Sequence, residues 1–368
     1  MCRGGYKMIK ENIATIKSLQ GKERTKFIGN KLIDNALYIL VAILIIGVYL
    51  YNPRFVSGSS IINILTLSST RLVMALGIAG TVILTGTDLS AGRLLGLTAC
   101  ISASLLQAPT YAAKMYQSLT WLPQDPQSQI IGQLICVMLL VMFVSGIIGF
   151  FNGFVVAKFK LHPFIVTLGT QLIVYGLSLI YATFGSNAGA PIGGIDDRYT
   201  NFVIGNMFGD SEFHLPWIIL YAVIISVIMW FVWNKTVFGK NMFAVGCNQE
   251  AAKVSGVSVF WTIVLVFTLA GAMYGLSGFL ESARVGSNTA ATGTGYELDA
   301  IAACVIGGVS FTGGVGKIRG VIIGVVLLQI INAALIFLDV PGSITYIVRG
   351  AIILVACAID MRKYLTKK

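Results

Sequence analysis

The chain has 368 residues, of which 56% are apolar and only 11% charged, with a net charge of +11 and a mean hydropathy of +0.83. A soluble domain carries about 25% charged residues, so a water-exposed surface of this size could not be covered; an ordinary cytosolic enzyme, a disordered chain and a nucleic-acid binder are excluded. What remains is an all-α polytopic membrane protein, and since one span takes roughly 20 residues the loops are short and no large soluble domain fits.

Residues 1–30 are polar and basic, with Arg3, Lys7, Lys10, Lys17, Lys22, Arg24 and Lys26. No small-residue cleavage site follows the first apolar run, which predicts an uncleaved cytoplasmic tail. Residues 31–368 are expected to form one transmembrane domain. Its apolar segments run over 33–51, 68–86, 89–107, 130–157, 163–184, 215–233, 260–282, 297–309, 318–338 and 343–359, the eighth of them short. Runs such as 218–233 do not alternate as barrel strands do, and a helix satisfies its own backbone in lipid. About ten transmembrane helices are therefore expected. With the N-terminus in the cytoplasm, only Arg54, Lys114, Arg198 and Arg284 fall in outer loops, and Arg71 and Arg349 fall inside spans. All other Lys and Arg lie on the inner side, the excess typical of cytoplasmic loops, so both termini are expected to be cytoplasmic. The outer stretches 108–129 and 185–214 are long enough to dock an extracytoplasmic partner or to serve as solvated connectors.

The six cysteines are scattered without metal-ligand spacing, and His162 and His214 lie at loop boundaries far apart in sequence. No catalytic residue and no metal site are predicted. No phosphate loop is present, because Gly316-Lys317 is followed by Ile318 and Gly239-Lys240 by Asn241. Spacings such as Gly149-xxx-Gly153, Gly271-xxx-Gly275 and Gly320-xxx-Gly324 mark close helix contacts, within one subunit or between two. The heptapeptide Gly86–Gly92 (GTDLSAG) echoes Gly308–Gly314 (GVSFTGG).

Ionisable residues at membrane depth are costly and mark either register-fixing ion pairs or a polar path. Asp88 and Arg93 flank the first glycine-rich turn, Glu281 and Arg284 end the seventh segment, and Glu297 and Asp299 open the eighth. Opposite charges are available for pairing, Asp88 with Arg93 or Arg349 for example. A polar cargo crossing hydrocarbon needs polar partners. The candidates to line or gate its path, framed by two copies of the chain, are Asp88, Ser90, Arg93, Gln171, Tyr175, Glu281, Glu297, Asp299 and Asn332. The inner loop at about 234–258 is basic and helix-compatible over 248–255, with Gly256 as its stop. It has the form of a short helix that seats in a partner's groove, and a passive connector has the same composition.

Glu250-Ala251-Ala252, with Gly256 six positions after the glutamate, resembles the EAA loop of ABC importer permeases. The proline-ended extension of that loop is missing, since Val266-Phe267-Thr268-Leu269 has none, and this departure is similar to the branch for ribose/galactose-type monosaccharides. The turn Gly86–Gly92, the run Pro163–Gly169 (PFIVTLG) and the segment Glu297–Gly314 also resemble that branch, and Thr87 and Arg93 resemble its galactose/methyl-galactoside members. The likeness covers about 31–368. It implies an ABC importer permease fold in a bacterial inner membrane, a homodimer, and transport of galactose, methyl galactoside or a related monosaccharide. It further implies a periplasmic galactose-binding protein and a separate ATP-binding cassette subunit that holds ATP-Mg, leaving this chain a transport subunit with no cofactor and no enzymatic activity. The coupling loop on that subunit would be carried by Gly239, Lys240, Glu250, Ala251, Ala252 and Gly256. Read from its residues alone, the chain would also fit an ion-coupled secondary sugar carrier or a structural membrane scaffold.

Overall fold

A computed structural model describes residues 36–125, 128–209 and 214–365; the basic tail expected over 1–30 lies outside them. The described residues are helical apart from loops and three isolated β-bridges. In chain order the helices are α1 Ala36–Tyr51, α2 Gly58–Ile83, α3 Ala91–Leu105, α4 Ile131–Phe159, α5 Pro163–Ala182, α6 Asp197–Ile204 and α7 Trp217–Lys235. They continue as α8 Val237–Cys247, α9 Gln249–Val254, α10 Val259–Val285, α11 Tyr296–Ile306, α12 Ile318–Phe337 and α13 Gly342–Leu365.

Six of these, α2, α4, α5, α7, α10 and α12, are long and apolar enough to cross a membrane. They coincide with six of the ten apolar segments, and α1 and α13 cover the first and last. The third and eighth segments are different. Helix α3 has 15 residues and α11 has 11, roughly 22 and 16 Å at 1.5 Å per residue, short of a hydrocarbon core of about 30 Å. Each is joined to glycine-rich backbone that folds into the bundle. Two further helices occupy stretches read as loops. In α8, Thr236 caps the N-terminus by accepting from the Gly239 N–H (3.2 Å); in α6, Asp196 does so from the Arg198 N–H (2.9 Å).

The outer helices follow a membrane pattern rather than a soluble one. Helix α5 buries Thr167, Thr170, Val174, Ser178 and Ala182, a stripe of small residues at helical spacing, and turns Ile165, Leu172 and Ile173 outward. Lipid is as apolar as leucine, so helices associate through close packing of small groups. The 27-residue α10 is the central post and packs along α4, α3 and α2. Its seam with α4 is made of the predicted glycines: a Cβ on Gly149 would meet the Phe267 carbonyl, and one on Gly271 would meet the Ser145 carbonyl. Gly320 and Gly324 sit likewise against Gly307 and Ala303 at the end of α11. All three spacings thus serve contacts within one chain.

Candidate functional site

The chain leaves α2 at Ile83 and turns back through residues 84–90 so that α3 begins inside the bundle. Asp88 is fully buried there. Its Oδ1 accepts from the Ser90 N–H (3.0 Å) and hydroxyl (2.6 Å), and its Oδ2 from the Tyr274 hydroxyl of α10 (3.1 Å). Asn152 of α4 donates to Ser90 Oγ (3.2 Å) and accepts from the Thr170 hydroxyl of α5 (2.6 Å). The Thr167 hydroxyl accepts from the Leu89 N–H (3.1 Å) and contacts the Thr87 carbonyl oxygen at 3.1 Å. One buried carboxylate therefore ties the turn to α4, α5 and α10 through hydrogen bonds, and its expected ion pair with Arg93 or Arg349 is not formed.

Next to this network the N-terminal end of α3 meets that of α11. A Cβ on Gly92 would collide with the Glu297 carboxylate, and one on Gly96 with the Thr292 carbonyl. Arg93 lies over the Tyr175 ring, its Cζ 4.0 Å from the centroid. It donates to Thr294 Oγ1 (2.9 Å) and the Ala290 carbonyl (3.4 Å). Glu297 Oε2 is buried and accepts no hydrogen bond among the described residues. Thr294 and Ala291 are exposed on this side, while Arg93, Gln171 and Tyr175 are half-buried. The arrangement offers guanidinium donors, a carboxylate acceptor and an aromatic face, the group types that bind a sugar's hydroxyls and its C–H face.

Behind it, two charge clusters brace α11. Glu281, fully buried on α10, pairs with Arg284 (2.6 Å) and accepts from the Tyr296 hydroxyl (3.0 Å). Arg71 of α2 lies over the ring of that tyrosine, 2.9 Å from its centroid. One turn on, Asp299 pairs with Arg349 of α13 (3.3 Å), whose Nε donates to Asn332 Oδ1 of α12 (3.0 Å). Among the described residues, no three His, Cys, Asp or Glu side chains stand close enough to hold a metal.

At the far end of α2 lie α8 and α9. Gly246 of α8 has room for no side chain beyond hydrogen, because the Ile83 carbonyl and the Gly314 backbone nitrogen occupy the space. The Gly314 N–H donates to the same Ile83 carbonyl (2.9 Å). Helix α9 is capped by Asn248, which accepts from the Ala251 N–H (3.0 Å). It ends with Val257 N–H donating to the Ala252 carbonyl and Gly256 N–H to that of Lys253, both 3.0 Å. This is the Schellman ending, in which the residue after the cap is left-handed, and Gly256 has φ +83°. Ala252 is buried against the bundle, while Glu250, Ala251 and Lys253 face outward and Val254 is 89% exposed. Lys240 is exposed and Gly239 is buried against the Trp233 carbonyl.

On the opposite side the outer loops are knitted into a cap. Arg198 pairs with Asp196 (2.7 Å) and donates to the carbonyls of Pro123 (3.0 Å), Asp125 (2.9 Å) and Ser128 (3.1 Å). Burial opposes ionisation of Asp196, but the hydrogen bonds and charge of Arg198 hold its carboxyl below the usual aspartate value.

The predicted path residues thus fall into three adjoining groups: Asp88 with Ser90; Arg93 with Tyr175 and Glu297, Gln171 lying one turn from Tyr175; and Glu281 with Asp299 and Asn332 in the bracing clusters. Asn152, Thr167, Thr170, Tyr274, Tyr296 and Val254 were not among them. Asn152 had a signal, being the lone polar side chain in IIGFFNGFVV; Val254 had none, since its exposure depends on which face α9 buries.

The profile of the branched-chain amino acid transport system permease component family matches residues 60–357. Over 335 residues the chain is 42% identical to the galactose/methyl galactoside import permease protein MglC of Escherichia coli (strain K12), covering 91% of this chain and 96% of that one. It is 43% identical, with the same coverage, to the protein of that name from Haemophilus influenzae. The ribose import permease protein RbsC of H. influenzae is 32% identical over 90% of this chain and 94% of its own length. No solved structure matches the chain significantly. Its long apolar helices make it a multi-pass membrane protein, and it belongs to the branched-chain amino acid transport system permease family of ABC importers, within the branch of monosaccharide permeases.

Proposed function

We propose that the chain is the membrane subunit of an ATP-driven importer of galactose and methyl galactosides, working as a homodimer in the bacterial inner membrane. Ten segments cross or enter the membrane and both termini are cytoplasmic, a reading supported by the basic residues of the α8–α9 side. The coupling loop on that side receives a separate ATP-binding subunit carrying ATP-Mg, and the outer cap receives a periplasmic galactose-binding protein. The path runs past Arg93, Tyr175 and Glu297, with Gln171 on its wall. Their partial exposure on one side of the bundle supports a second copy facing them, because polar groups at membrane depth face protein or water rather than lipid. The relatives' names support the substrate, and membership of the ABC importer family favours ATP over ion coupling.

One observation carries the coupling assignment. Helix α8 rests directly on the end of α2 and on the glycine turn after α11, the two elements that lead to Arg93 and Glu297, and α9 is joined to α8 through the shared cap residue Asn248. A movement of α9 by a bound partner is thereby delivered to both half-length helices at once. Val254 is the residue to test. It is the apolar side chain on the outward face of α9 that a docked partner would cover. Val254→Asp should leave the chain inserted and folded but reduce pull-down of the ATP-binding subunit and galactose-stimulated ATP hydrolysis at least tenfold. Normal assembly and stimulation in both Val254→Asp and Gly256→Trp would make the loop a connector.

A further inference from the structure

A groove of about 370 Å³ runs down the outside of the bundle between α2, α7 and α12. Its floor is Ser68 and Ser69, and its walls include Val223 and Trp230 on α7 and Val326 on α12. Serines in an apolar groove suggest a polar ligand, but here each hydroxyl is already used. Those of Ser68, Ser69 and Ser226 donate to the carbonyls of their own helices four residues back, at 2.7, 2.8 and 2.7 Å. Along its length the groove therefore has no free hydroxyl donor and suits hydrocarbon rather than sugar. Along α7 it extends from Ile219 to Trp230, about 16 Å at the rise of a helix.

One end of the slot is charged. Arg319 lines it there, with Lys317 two residues away, and both are exposed. Lys235 approaches the face of Trp230, 5.9 Å from the ring centroid, at the same end. Among the described residues none of these three cations has a carboxylate within ion-pair distance. Tryptophan and basic side chains are the residues that meet lipid headgroups. We propose that the groove binds one anionic phospholipid, an acyl chain lying between α7 and α12 and the phosphate held by Arg319 and Lys317. Placing that lipid in the cytoplasmic leaflet rests on the topology proposed above; the binding does not.

The test uses the full chain in nanodiscs of equal phosphatidylglycerol and phosphatidylcholine, followed by native mass spectrometry of the lipid retained after detergent transfer. The unaltered protein should keep phosphatidylglycerol in preference. Lys317→Gln with Arg319→Gln should lower that preference about tenfold, from two basic residues near a phosphate. Val223→Trp, which fills the groove, should lower retention of both lipids. Every altered position is exposed, so the core is untouched. Equal retention of the two lipids by the unaltered chain, or a preference that survives the double glutamine change, would overturn the proposal. So would efficient cross-linking of a cysteine at position 223 to a second copy in native membranes. None of these readouts involves ATP hydrolysis or sugar uptake, so a failure here leaves the importer assignment standing.

Discussion

Helices α3 and α11 are both too short to cross a bilayer and begin side by side, yet they are held by different forces. The start of α3 is fixed by neutral contacts and by hydrogen bonds to one buried carboxylate: Asp88, Ser90, Asn152 and Tyr274 bind the turn, and Gly92 and Gly96 press their backbone against 292–297. The start of α11 follows two glycines in left-handed geometry, Gly293 at φ +81° and Gly295 at φ +79°. It is braced by the ion pair of Asp299 with Arg349 of α13, by the Tyr296 hydroxyl donating to Glu281 of α10, and by Arg71 of α2 over the Tyr296 ring. Close backbone packing has one arrangement, whereas charged side chains can exchange partners. In the coupling proposed above both half-length helices receive the movement of the loop, and the charged contacts of α11 are the ones able to exchange partners as it is delivered.

The comparison can be broken most sharply by adding bulk. Gly96→Val would drive a side chain into the Thr292 carbonyl and should cost about 3 kcal/mol or more, seen as loss of folded protein in membranes. Gly295→Ala, with nothing within 4 Å of the new Cβ, should cost only the left-handed strain of about 1–2 kcal/mol, read as a small fall in detergent Tm. Equal tolerance of the two would erase the distinction. Next in size, Arg349→Ala leaves Asp299 and Asn332 without their partner and should cost about 2–3 kcal/mol, less than a fully buried pair because the arginine is partly exposed. Adding Asp299→Asn should return much of it, and a thermal double-mutant cycle measures the difference. Arg93→Lys keeps the charge but loses the guanidinium over the Tyr175 ring. Sugar uptake in vesicles should fall about tenfold, for roughly 1.4 kcal/mol of lost contact, while Glu297→Gln, whose Oε2 accepts nothing in the resting fold, should lose less.

The smallest effect concerns the cap that joins the two helices. The Asp196 N–H donates to the Leu106 carbonyl at the far end of α3 (2.9 Å), and Ile192 bridges to Asn288 ahead of α11. Because the folded pKa of Asp196 is lowered from 3.8, its stabilisation is complete above that value and is lost as the pH falls through the lower folded one. Asp196→Asn should remove this acid sensitivity of the cap at a cost of about 1 kcal/mol, as followed by proteolysis between Pro123 and Ser128.

Much of this was legible because lipid simplifies the code. Segment positions followed from hydropathy alone, and the stop at Gly256 followed from glycine's freedom at positive φ. The glycine pairs announced close contacts, but their partners could not be named, since Gly149 and Gly271 are brought together only by the tertiary fold. The half-length of α3 and α11 was hidden as well: an apolar run reads the same whether it spans lipid or ends on a buried turn. Asp88 was marked by its cost, but its partners were misjudged because sequence shows charges more readily than the hydroxyls of Ser90 and Tyr274. Val254 and the outward face of α9 depended on burial of Ala252, a packing outcome that six residues of sequence do not contain.

The seam between α4 and α10 also has a consequence for synthesis. Its two halves, around Gly149 and Gly271, are separated by α5 to α9. At ~5–20 residues per second, α4 waits on the order of 6–25 s in the membrane before its partner has been made. During that interval its glycine face can be occupied only by lipid or by a helper protein. Chain order sets longer waits still for α2 and α3, whose Gly77 and Gly96 pack against Ala270 and Thr292, so a helper that shields bare helix grooves would act on them as well as on α4.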